Sequence, residues 1–219
     1  MSQSATLALD TAPRNHFSLV VLHSSGEHQQ CHLDITGNGH VESLAPNIEK
    51  LLASENISFD DIERIAVNTG PGSFSGIRAG IATARALSQA TNTPLVGISQ
   101  TELLAISASR HSKEAGTLLV VLNAGAHLFL QAFSQGETIE ALAPPQSLPH
   151  NEALAYCRTL ETPLLLGSGA RLLEGYRTLE EFPAPDALLL ATLAARREPA
   201  DTPVIPIYIR PPDAKLPQK

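Results

Sequence analysis

One stretch constrains this chain more than any other: Asn68-Thr-Gly-Pro-Gly-Ser-Phe-Ser-Gly-Ile-Arg78. An apolar run from Ile65 to Asn68 leads into it, and a helix of small residues, about Gly76 to Ala90, leads out of it. Strand, glycine loop and helix is a layout in which backbone N–H groups at a helix N-terminus can hold phosphate. The details depart from the standard nucleotide loops. A P-loop needs Lys and then Ser or Thr after its last Gly, and here Ile77 and Arg78 follow Gly76. A dinucleotide fingerprint needs a third Gly where Ser75 stands and an acid further on, yet no Asp or Glu occurs between Glu63 and Glu102. Two readings remain: a tight strand-to-helix turn, and a phosphate cradle. Ser73 and Ser75 read as turn and cap residues rather than nucleophiles.

The helix after the loop carries its own signal. Gly76, Gly80 and Ala84 are spaced by four, as are Ala79, Thr83 and Leu87, and Ala82, Ala86 and Ala90. Small side chains let a second helix approach closely. Arg78, Arg85 and Gln89 form the strongly polar stripe. A helix this apolar is covered on two sides. One side faces a sheet; the other meets a helix of the same chain or a partner protein.

Around this segment the periods alternate. Thr6 to Asp10, His16 to His23 and Gln29 to Ile35 read as strands, the last two joined as a hairpin through Ser24-Ser25-Gly26-Glu27. Val41, Leu44, Ile48, Leu51 and Leu52 recur at helical spacing, with Pro46 near the helix start. Pro94 to Ile98 is a strand and Thr101 to Ser109 a helix. The second half repeats the grammar: strands at Thr117 to Leu122 and Leu128 to Phe133, and a loop from Ala143 to Pro149. A helix at Glu152 to Leu160, a strand at Pro163 to Leu166 and an Ala/Leu-rich helix at Asp186 to Arg197 follow. This predicts two α/β lobes, 1–100 and 101–219, the second including the tail.

Composition sets the limits. Of 219 residues, 43% are hydrophobic and 17% charged, which excludes a disordered chain. Aromatics at 4% and no Trp argue against stacking platforms for single-stranded nucleic acid. A net charge of −7 argues against a chain that grips tRNA or DNA by itself. Cys31 and Cys157 form neither a metal spacing nor a disulfide framework. No basic residue precedes the first apolar run, so a signal peptide is not expected. The longest stretch without Lys, Arg, Asp or Glu, Ala115 to Gly136, contains Asn123, His127, Gln131 and Gln135, which do not suit a membrane span. A cytoplasmic protein is expected.

Fragments of a nucleotide site are present in altered form. Asp10-Thr11-Ala12 ends the first strand as the phosphate motif of the actin, Hsp70 and sugar-kinase superfamily does, but with Ala12 where those enzymes place Gly. Asn123-Ala124-Gly125 stands where a carboxylate for Mg²⁺ is expected. Gly167-Ser168-Gly169 after a strand could meet an adenosine. The candidate vestigial nucleotide site is therefore Asp10, Thr11, Gly70, Gly72, Ser73, Gly167 and Gly169. His28 and His32 have metal spacing only if helical. On a strand, positions four apart are about 13 Å distant, too far to share an ion. His40 reads as a helix-boundary histidine. No metal site and no catalytic nucleophile is expected.

Taken together, Leu7-Ala-Leu-Asp-Thr-Ala12, His40 with Leu44, Pro46, Ile48 and Leu51-Leu52, the glycine segment through Arg78, Gly80-Ile81, Pro94-Leu-Val-Gly-Ile-Ser99, Leu103 and Tyr208-Ile-Arg210 resemble the TsaB (YeaZ) family. The likeness is strongest from residue 5 to about 105. It implies a duplicated actin/Hsp70-like (ribonuclease H-like) α/β fold, mixed sheets flanked by helices. It also implies a non-catalytic subunit, without cofactor, in the bacterial machinery that makes threonylcarbamoyladenosine at position 37 of tRNAs reading codons that begin with A. The family pairs with the catalytic paralogue TsaD, an ATPase, TsaE, joins them, and a homodimer through the same helices competes. Contact with tRNA would be indirect. On this sequence the implied partner surface is the pair of helices near 41–55 and 76–90, with Leu44, Ile48, Leu51, Gly76, Arg78, Gly80, Thr83, Ala84 and Leu87. One departure stands out. The family's Asp-Ala-Arg and Glu-Val-Tyr are Asn123-Ala124-Gly125 and Leu128-Phe129-Leu130 here, which removes charge from that region. The competing expectation is an independent ATPase or small-molecule kinase of the same fold, resting on Asp10, Thr11, the glycine loop and Gly167-Ser168-Gly169.

Overall fold

A computed structural model of the chain describes residues 4–13, 16–34, 43–112, 116–182, 184–199 and 203–209. It divides into two units, Met1–Leu103 with Pro185–Ile207, and Leu104–Ala184 with Tyr208–Lys219.

The first unit is built on a five-stranded sheet. Its strands are β1 (Ala5–Asp10), β2 (His16–His23), β3 (His28–Asp34), β4 (Ile62–Asn68) and β5 (Leu95–Ile98), in the order β3-β2-β1-β4-β5. β1 is antiparallel to β2, and β2 to β3, while β1, β4 and β5 run parallel. Every residue of β1 is buried, because helices cover both faces of the central strand. On one face lie α1 (Leu44–Ser54) and α2 (Phe74–Thr91). Their apolar stripes join Leu7, Leu9, Phe17, Leu19, Val21, Ile65 and Val67 in one core. On the other face lies α5 (Ala187–Ala194), which packs on all five strands. The Asp186 carboxylate caps it, accepting from Leu189 N at 2.8 Å.

The second unit repeats the plan. Its strands are β6 (Gly116–Asn123), β7 (His127–Gln135), β8 (Ile139–Ala141), β9 (Gln146–Pro149), β10 (Leu164–Leu166) and β11 (Thr178–Leu179). The order is β11-β10-β6-β7-β8, with β9 also paired to β7. As in the first sheet, the first strand has an antiparallel neighbour on one side and a parallel one on the other. α4 (His150–Cys157) occupies the place of α1, between the antiparallel and parallel parts. α2 is replaced by the single 3-10 turn Ala170–Leu172. Leu119, Val121, Leu128 and Leu130 pack with Ala153, Cys157 and Leu165 on one face. α3 (Gln100–His111) supplies Ala105 and Ala108 to the other, beside Leu118, Val120, Phe133 and Leu166.

Several expectations need correction. The segment from Ala143 to Pro149 contains β9, and the short strands β8 and β11 were not anticipated. The last helix, expected in a second lobe spanning 101–219, belongs with the first unit. Arg64 holds it there, donating to the Ala194 O at 3.2 Å and to the Arg197 O. The Arg197 guanidinium in turn pairs bidentately with Glu102. Readings placed on Ile35, His40, Val41 and Arg210 fall outside the described residues.

Candidate functional site

The end of the first sheet gathers Asp10, Thr11, Asn68, Gly70, Gly72 and Ser73 into one junction. The Asp10 Oδ1 accepts from Ala12 N at 3.2 Å and from Asn68 Nδ2 at 3.0 Å. Asn68 Nδ2 also donates to Gln100 Oε1 at 2.6 Å, and its Oδ1 accepts from Gly70 N at 2.9 Å. One asparagine thus fixes the ends of β1 and β4 relative to the glycine loop and to the first residue of α3. Burial pushes the Asp10 carboxyl up to about 6, against the Ala12 and Asn68 hydrogen bonds and the nearby His16, which favour its charge.

The glycines bring the chain close to itself. A Cβ on Gly72 would lie 2.3 Å from the Ala12 O, and one on Gly76 would lie 2.1 Å from the Thr11 O. Further along α2, a Cβ on Gly80 would lie 2.1 Å from Thr11 Oγ1. Ser73 N donates to the Ala12 O at 2.8 Å, and Gly76 N to Ser73 Oγ at 3.3 Å. These amides at the start of α2 are therefore engaged within the chain, which is the geometry of a packed strand-to-helix turn. Thr11 Oγ1 is buried and has no hydrogen-bond partner among the described residues. The remaining nucleotide-site candidates, Gly167 and Gly169, lie in the second unit. There a Cβ on Gly167 would meet the Val121 O at 2.6 Å, and Gly169 N donates to the same oxygen at 2.9 Å.

The two units carry the same local device at the end of their first strands. In the first unit Ala12 N donates to Asp10 Oδ1; in the second Gly125 N donates to Asn123 Oδ1 at 2.8 Å. Asn123 thus occupies the position that Asp10 occupies in the first unit, as a neutral amide.

Most of the residues expected to receive a partner are covered within the chain itself. Leu44, Ile48 and Leu51 are buried in the first unit's own core. They form the one apolar stripe of α1, and the sheet takes it. Gly76, Gly80 and Ala84 are buried as well, the glycines beneath the Asp10–Ala12 loop. Of the expected residues only Arg78 is exposed, with Thr83 and Leu87 half-buried. The exposed residues of α2 are Phe74, Ser75, Arg78, Ala82, Arg85, Ala86, Gln89 and Ala90. Phe74 is 48% exposed, and the Arg78 guanidinium lies 5.2 Å from its ring centroid. The third small-residue row, Ala82, Ala86 and Ala90, is the one that faces out.

His28 and His32 both lie on β3, as their strand reading required. His32 Nδ1 is 2.9 Å from Ser18 Oγ. No helix among the described residues is long and apolar enough to cross a membrane.

The chain is similar to proteins of one group. A model of the TsaD family, described as tRNA N6-adenosine threonylcarbamoyltransferase, matches residues 22–163. An uncharacterized protein of Mycobacterium bovis is 30% identical over 226 residues, covering 97% of this chain and 94% of that relative. An uncharacterized protein of Mycobacterium leprae is 28% identical over 184 residues, covering 83% of this chain and 47% of the relative. A tRNA N6-adenosine threonylcarbamoyltransferase of Methylobacterium is 34% identical over 99 residues, 45% of this chain and 28% of that enzyme. The chain thus matches less than half the length of these last two relatives. Among solved structures, YeaZ from Pseudomonas aeruginosa shares the fold, with a TM-score of 0.72 at 23% identity, over 94% of this chain and 99% of that one.

Proposed function

The chain belongs to the family of TsaD, the tRNA N6-adenosine threonylcarbamoyltransferase, and from that premise we propose that it is a scaffold and activating subunit for a TsaD-type catalytic chain. In this reading the pair modifies adenosine 37 of tRNAs that read codons beginning with A, and the chain by itself is not an enzyme. A TsaE-type ATPase joins the pair, and a homodimer through the same helices competes with it.

The observation that carries the proposal is the outer face of α2. Phe74, Ala82 and Ala86 leave a low apolar strip flanked by Arg78, Arg85 and Gln89, suited to close approach by a partner helix. α1 also has an exposed side, with Ala45, Glu49, Lys50 and Ala53. The engaged amides of the glycine loop and the neutral Asn123 support a binding role over phosphoryl transfer. The charge of −7 supports leaving the tRNA backbone to partners.

The test is threonylcarbamoyladenosine formation in a purified mixture of TsaD, TsaE, threonylcarbamoyl-adenylate and tRNA. Product only when this chain is added, with the chain inert alone, is the expected result. Product unaffected by its omission overturns the proposal. Mg-ATP turnover by the isolated chain, abolished in Asp10→Ala, would establish an ATPase or kinase instead.

A further inference from the structure

Beyond α5, residues 203–207, Pro-Val-Ile-Pro-Ile, form a short strap on the first unit. Three contacts seat it. Ile207 N donates to the Thr69 O at 2.8 Å, at the head of the glycine loop. The Val204 side chain packs against the first unit's core. The Arg85 guanidinium, from α2, donates to the Val204 O. Two glycines make the room: a Cβ on Gly97 would lie 2.7 Å from Val204 Cγ1, and one on Gly70 would lie 2.8 Å from the Ile207 O. The strap thus ties β5, the glycine loop and α2 to one another.

Its hold is shallow. Pro203 and Ile205 are exposed, Ile205 by 63%, on either side of half-buried Val204. Segments buried this lightly open at lower free energy than the core elements they lie on. Pro203 and Pro206 limit the backbone freedom lost when the strap seats again. Residues far along the chain therefore clamp the start of α2 through contacts that can open while the sheet stays intact.

We infer that residues 203–207 are a latch: seated, they hold the glycine loop and α2 in one arrangement, and that arrangement is the one competent to pair with a partner chain. Arg85 belongs to the exposed residues of α2, so the latch reaches the helix that would receive the partner. A helix face fixed before contact binds without the cost of ordering it. The role in pairing rests on the scaffold function proposed above, whereas the clamping of α2 does not.

The experiment measures hydrogen–deuterium exchange and affinity for a TsaD-type chain on full-length variants. Ile207→Pro deletes the N–H that meets Thr69, Val204→Ala withdraws the side chain from the core, and Ile207→Leu keeps both contacts. In the first two, amides of 69–85 should exchange at least fivefold faster and partner affinity should fall at least fivefold. Those of β6 and β7 should not change. Ile207→Leu should match the parent chain in both readouts. Unchanged exchange at 69–85 in Ile207→Pro and Val204→Ala overturns the latch. Faster exchange with unchanged affinity overturns its role in pairing. Failure of the parent chain to pair at all refutes the scaffold function, and exchange alone then decides the latch.

Discussion

Thr11 Oγ1 occupies the space into which a side chain on Gly80 would grow, at 2.1 Å from the Cβ position. The two residues lock the turn after β1 onto the second turn of α2. The Gly80 row is thus an internal contact, although its spacing also suits an interface between chains.

Gly80→Ala should therefore destabilise the first unit by about 1–3 kcal/mol, overpacking outweighing the gain in helix propensity. Thr11→Ala leaves only its own Cβ near the site, at 3.2 Å. Adding it to Gly80→Ala should restore most of the lost stability. Denaturant unfolding of the two single variants and the double variant measures this coupling; additive effects would refute direct contact.

Asp10 gives a pH dependence of definite sign. Burial pushes its carboxyl up to about 6 in the folded chain, from the usual 3.8. Between those values the folded chain holds a proton that the unfolded chain has lost. Stability from this group is therefore present below about pH 4 and lost as pH rises through about 6, by roughly 3 kcal/mol. Asp10→Asn should remove that slope. Parallel denaturation curves from pH 4 to 7 for both proteins check it, and identical slopes count against it.

The surface and core positions of the paired helices should separate cleanly. Ala86→Glu, on the exposed face of α2, should weaken pairing with a TsaD-type chain at least tenfold and leave the melting temperature within a degree or so. Ile48→Ala, in the core, should cost about 2–5 kcal/mol of stability. Affinity by calorimetry and melting by circular dichroism distinguish them.

Arg64 should control how firmly the last helix is held. Arg64→Ala removes its bonds to the Ala194 and Arg197 carbonyls, at a cost of about 1–2 kcal/mol. The amides of 187–194 should then exchange faster than those of β6 and β7, as read by hydrogen–deuterium exchange. Uniform acceleration across both units would contradict a local role.

Much of the architecture is legible in the residues. Alternating periods locate the hairpin β2–β3, and the apolar stripe Leu44, Ile48, Leu51, Leu52 locates α1. The glycine segment marks the turn before α2. What the pattern lacks is direction. The helical stripe of α1 is apolar whether a sheet of the same chain or a partner covers it, and only the fold shows that the sheet does. The helix 187–194 reads as buried because it is apolar all round, but nothing in ALLLATLA says which sheet it covers. β8, β9 and β11 have only two to four residues each, too few to show a period. In the candidate site, Asp10 and Thr11 were legible from the strand end. The role of Asn68 was not, because joining β1, β4 and the start of α3 is a relation between segments far apart in sequence.

The placement of α5 also governs when this protein can fold. The face of β1, β2 and β4 that it covers belongs to residues before 104, whereas α5 follows residues 104–184 of the second unit. On the ribosome, the first sheet must wait, half dressed, while the whole second unit emerges. Residues 104–184 are contiguous and can settle as they appear. A chain stopped at 184 would leave Ala8, Val20 and Ala66 without the helix that packs on their strands. Such a fragment should be a chaperone client and not a free-standing lobe.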